Sequence, residues 1–150
     1  MPQSLPSLPR PADDLTVAKQ LKDLETAVAS LKANAPAAPT AAIHLTGQNA
    51  SISATTVWTA QVAGRFRASA YLRTGSAGAA GTVLVTLLWT DDAAAKSRAS
   101  GTVALTATTG EQDLTAFFYA AAGANIQYST TVVGLVGATY ALDVLVEKCP

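Results

Sequence analysis

Few side chains in this chain are able to do covalent chemistry, and their spacing limits what they can do. Asp91-Asp92 is the only adjacent acidic pair after residue 40. A catalytic carboxylate pair needs a fixed separation across a substrate and shifted proton affinities. Neighbours in a tight turn point apart and stay solvated, so a turn is expected here. Glu111 and Asp113 could join them, but calcium takes about six or more oxygens and no loop of that kind is recognisable. His44 stands in Ile43-His44-Leu45 with no second His and no Ser/Asp motif beside it. A triad has no support, and a half-buried strand residue is expected. Cys149, the one cysteine, is expected to be a free thiol; it excludes an internal disulfide and a Cys-rich zinc site. Gly75, Gly78 and Gly81 read as a hairpin loop and not as a phosphate cradle, because no Lys-Ser/Thr follows them. Arg65, Arg67 and Arg73 alternate on one strand face with Tyr71. So small a cluster suits a solvated face or salt bridges to a subunit better than a polyanion site. Trp58 and Trp89 are expected in the core. No catalytic residue, metal ligand or cofactor is expected, and the chain reads as a non-enzyme.

Composition points the same way. Of the 150 residues 32 are Ala, and Thr, Val and Ile supply 34 β-branched side chains, a bias toward strand. Ten Lys and Arg balance ten Asp and Glu, giving zero net charge. Binding to nucleic acid or to an acidic membrane draws on surplus positive charge, so neither partner is expected. The first residues contain no apolar core of a signal peptide, and no apolar run reaches the roughly 18 residues of a membrane span. Synthesis in the cytoplasm as a soluble chain is expected.

Three zones precede or form the elements that would position these residues. Residues 1–12 carry Pro2, Pro6, Pro9 and Pro11 with Leu5, Leu8 and Arg10 among them. Proline fixes φ and pushes the residue before it toward extended geometry, so an extended arm is expected. Residues 13–34 hold the only helical pattern. Asp13-Asp14 suits an N-terminus, and Val17, Leu21, Leu24, Val28 and Leu31 follow in steps of four and three, a heptad seam. Packing on the chain's own domain and a coiled coil between copies would use the same residues; the narrowness of the stripe favours the coiled coil. Its mixture of Leu and Val does not separate two strands from three. Residues 35–40 read as a semi-stiff linker.

Residues 41–150 hold 33 of the 42 larger apolar side chains. Strand-like segments recur at 42–46, 51–62, 65–74, 82–90, 101–108, 113–120, 125–133 and 139–147, separated by Gly, Asp and Ser signals. The clearest has Phe66, Ala68, Ala70 and Leu72 on one face and Arg65, Arg67, Ser69, Tyr71 and Arg73 on the other. About eight such strands without a helix predict an antiparallel β-sandwich of jelly-roll type. The segment 82–88 is apolar on both faces, as a strand facing another subunit would be.

Four blocks resemble a domain of tailed-bacteriophage structural proteins: 64–74 (GRFRASAYLRT), 86–92 (TLLWTDD), 126–132 (IQYSTTV) and 140–147 (YALDVLVE). That Ala/Thr-rich, all-β domain occurs in head and tail fibre or decoration proteins. The resemblance implies a jelly-roll-like head associating as a homotrimer on a virion, and it brings no catalytic residues. The expected function is a capsid decoration or head-fibre protein, with Leu5, Pro6, Leu8, Pro9 and Arg10 anchoring the arm. The expected oligomer interface is Val17, Leu21, Leu24, Val28 and Leu31. The partners are other copies of the chain and the major capsid protein or another virion protein. Assembly would occur in the host cytoplasm. A tail or baseplate component binding a host receptor or surface glycan is one alternative; a carbohydrate-binding module is another.

Overall fold

A computed structural model describes residues 13–34, 40–91 and 93–150, with helix side chains from 17 to 30. The expected arm, with Leu5, Pro6, Leu8, Pro9 and Arg10, lies outside the described residues. So do linker positions 35–39, Asp92 and the side chain of Leu31. The chain divides into two compact units, one holding the helix and one the strands.

The helix α1 spans Asp13–Asn34, and every side chain described in it is exposed. Thr26 Oγ1 turns back to donate to the Lys22 carbonyl, 2.8 Å away, which keeps this β-branched residue compatible with the helix.

The second unit is mainly β. Its strands are β1 (Ala41–Gln48), β2 (Ile52–Thr59), β3 (Gly64–Ser76), β4 (Ala80–Asp91), β5 (Ala94–Ala99), β6 (Val103–Ala104), β7 (Glu111–Ala120), β8 (Asn125–Val136) and β9 (Thr139–Lys148). They form one sheet in the order β1-β9-β3-β7 and a second in the order β2-β8-β4-β5, with β6 also on the β4 edge. All pairings are antiparallel. Setting aside the two-residue β6, first pairs with last, second with second-last, and so inward to the β4–β5 hairpin. A long hairpin wrapped into two facing sheets has this nesting, the jelly-roll arrangement.

Alternation explains how the sheets close on each other. In β3 the buried positions are Phe66, Ala68, Ala70, Leu72 and Thr74; in β4, Val83, Val85 and Leu87; in β7, Leu114, Ala116, Phe118 and Ala120. Tyr140, Leu142, Val144 and Val146 do the same from β9. At one end of the core Trp89 stacks on Phe118 at 4.6 Å between centroids, and Phe66 follows at 6.3 Å. At the other end Tyr140 ties the sheets together: Oη donates to the Ala50 carbonyl at 2.7 Å. Its second contact is Thr130 Oγ1, also at 2.7 Å. Thr130 Oγ1 in turn accepts the Ile52 N–H at 2.9 Å, so its proton goes to Tyr140.

Several expectations are corrected. Residues 94–99 form a strand although no alternation marks them; all six positions are exposed and pairing with β4 holds them. The predicted strand at 101–108 shrinks to Val103–Ala104, because the chain turns once Leu105 N–H reaches the Gly81 carbonyl. Gly75 and Gly81 lie inside strands, and only Gly78 is in the connection. There a Cβ would fall 2.2 Å from the Val136 carbonyl oxygen, so backbone approach demands glycine.

Candidate functional site

The seam residues share one helix face by their spacing of four and three. Val17, Leu21, Leu24 and Val28 are 59, 58, 63 and 43 % exposed. Soluble chains show single exposed leucines routinely; here four large apolar side chains line one face as a continuous exposed stripe.

On the β unit, strand register assembles a polar row across the outer face of the β1-β9-β3-β7 sheet. His44 lies opposite Asp143, Asp143 opposite Tyr71, and Tyr71 opposite Asp113. His44 Nδ1 meets Asp143 Oδ1, and Tyr71 donates to Glu111 Oε2 at 2.5 Å. That hydrogen bond, followed by slight desolvation, holds the Tyr71 phenol above its ordinary value of 10. His44 is exposed, not half-buried as expected, because it occupies the solvent-facing phase of β1 while Ile43 and Leu45 pack inward. The row borders an open groove of about 440 Å³ with Ser69, Thr115 and Leu145. Its carboxylates face water across neighbouring strands, so nothing encloses a reacting molecule between them.

The remaining sequence candidates are dispersed. Asp91 ends β4, and the Trp89–Phe118 stack places it toward the Ala120 end of β7, whereas Glu111 and Asp113 begin that strand. The acidic residues at 91, 111 and 113 therefore do not converge. Arg67 pairs with Glu147 of the adjacent strand, its Nε 2.6 Å from Oε2, so this arginine has a salt bridge within its own chain. Trp58 and Trp89 are both half-buried and pack against the core. The Trp89 Nε1 and Thr74 Oγ1 atoms are buried without a hydrogen-bond partner among the described residues. Cys149 is a free, half-buried thiol whose N–H donates to the Arg65 carbonyl at 2.9 Å. Among the described residues no three His, Cys, Asp or Glu side chains group as metal ligands, and no helix is long and apolar enough to cross a membrane.

Sequence reasoning also missed an exposed aromatic pair. Phe117 and Tyr119 point outward from β7, exposed at the rim of the sheet. The signal was present: if Leu114, Ala116 and Phe118 face inward, period two sends Thr115, Phe117 and Tyr119 outward.

No family model matches the chain, and no curated protein matches it in sequence. Among solved structures, an Eiger TNF from S. frugiperda aligns with a TM-score of 0.39 and 13 % identity, over 75 % of this chain and 94 % of that one.

Proposed function

We propose that this chain is a structural protein of a tailed-bacteriophage virion, a homotrimeric capsid decoration or head-fibre protein. In this reading residues 1–12 tie it to the shell, α1 sets the axis of association, and the β unit projects outward. The exposed stripe Val17, Leu21, Leu24 and Val28 carries the reading, because joining like helices is the use that a heptad seam serves best. The short blocks resembling phage structural proteins support the address, and the jelly-roll-like head agrees with them. Three arms on one particle would convert modest affinity per arm into firm attachment through effective concentration. A tail or baseplate position would employ the same architecture.

Two measurements test it. Sedimentation equilibrium of the full chain should give three times the chain mass at micromolar concentration; a monomer overturns the reading. Purified phage capsids lacking the protein should bind it, and deletion of residues 1–12 should abolish binding. Undiminished attachment after the deletion removes the anchoring role. Binding to host cells but not to capsids moves the protein to the tail.

A further inference from the structure

The outer face of the β1-β9-β3-β7 sheet has two unlike ends. Toward the Ala120 end of β7 stand Phe117 and Tyr119, 69 and 42 % exposed, with Arg67 and Arg65 opposite them on β3. Arg65, Phe117, Tyr119, Cys149 and Pro150 line an open groove of about 490 Å³ there. Toward the Glu111 end the same face carries Glu111 and Asp113 on β7 and Asp143 on β9. Arg67 is matched by Glu147, which leaves Arg65 as the surplus charge at the aromatic end. At the other end Glu111 and Asp113 outnumber Arg73. Strand β7 is also an edge of its sheet, so the aromatic pair sits where no further strand covers it.

We infer that this face is where the β unit of one copy meets that of another, the cationic aromatic end of one against the acidic end of the next. The inference rests on the self-association reading and assigns it a surface on the head. Exposed aromatics alone would suit many partners. Opposite charge at the two ends lets the cationic end of one copy receive the acidic end of the next, which selects a second copy as occupant. A head-to-tail contact of this kind joins different patches on successive copies and closes into a ring when the rotation permits. Aromatic anchors beside an arginine are also the composition that carries most of the energy in measured interfaces.

The test uses the full chain in sedimentation runs over a dilution series, with circular dichroism melts to show that each variant folds. Phe117→Ser should weaken association about tenfold or more. Arg65→Glu and Asp113→Lys should each weaken it, and the double variant should recover most of the loss. Val133→Ser, at a 64 % exposed position on the other sheet, should leave association at the wild-type level. Cys149 provides a second readout: its rate of reaction with a soluble thiol reagent should fall as the chain associates. A wild-type oligomer whose Phe117 and charge variants associate normally overturns this surface while leaving self-association intact. A double variant no better than the single ones overturns the end-to-end arrangement, and glycan binding lost in Phe117→Ser at unchanged oligomer mass reassigns the face to a sugar. A monomeric wild-type chain instead sinks the self-association reading itself.

Discussion

At Tyr140 one hydroxyl holds together parts of the chain that are far apart in sequence. Its ring points from β9 into the core, and its Oη completes a relay from the Ile52 N–H through Thr130 to the Ala50 carbonyl. Tyr140→Phe keeps the ring's packing but leaves the buried Thr130 Oγ1 and the Ala50 carbonyl short of a partner. The expected cost is about 1–3 kcal/mol, read from the urea midpoint. Burial also pushes the Tyr140 phenol above its ordinary value of 10, with the Thr130 hydrogen bond opposing. The folded chain then holds this proton more tightly than the unfolded chain. Its contribution is complete below pH 10 and is lost as pH rises through the raised value. Stability measured on either side of pH 10 should therefore fall on the alkaline side, less steeply in Tyr140→Phe. An identical alkaline fall in that variant would show that other groups cause it.

Among the elements, the connection from β3 to β4 is the least tolerant of substitution. Gly78 N–H donates to the Leu105 carbonyl at 3.0 Å, and a Cβ on Gly78 would lie 2.2 Å from the Val136 oxygen and 2.5 Å from the Ala138 nitrogen. Both obstacles are backbone, so Gly78→Ala must displace the β8–β9 turn. A loss of about 1–3 kcal/mol is expected in thermal or urea unfolding. At Gly134 nothing lies within 4 Å of a Cβ, and φ is +61°, in the left-handed region. Gly134→Ala should cost only about 1–2 kcal/mol of left-handed backbone strain. Strands whose two faces differ were legible in the sequence: β3 alternates Phe66, Ala68, Ala70 and Leu72 with arginines, and β9 follows suit. Strand β5 was not, because Lys96, Ser97 and Arg98 never face a core and only the edge of β4 defines them. The seam on α1 could be read from spacing alone. The polar row His44, Asp143, Tyr71 and Asp113 could not, since its members lie on four strands and only register brings them together.

For the whole molecule the question is how a 22-residue helix of about six turns, too short to associate firmly alone, would hold copies together. Isolated helices and coiled coils of this length are marginal in water. Contacts contributed by the β unit would add to the seam, since joining at one site raises the effective concentration at the other. Coupling of this kind makes stability depend on protein concentration, because association removes folded monomer from the unfolding equilibrium. The thermal midpoint of the full chain should therefore climb as concentration rises. Leu21→Asn combined with Leu24→Asn places amides on the seam at two exposed positions. That variant should lose most of the concentration dependence and sediment as a smaller species, while its midpoint at high dilution matches wild type. The opposite pattern, a lower midpoint at every concentration with no change in mass, would mean that the stripe packs within its own chain. The two outcomes differ because an interface between copies stabilises by mass action, whereas an internal contact stabilises equally at any dilution.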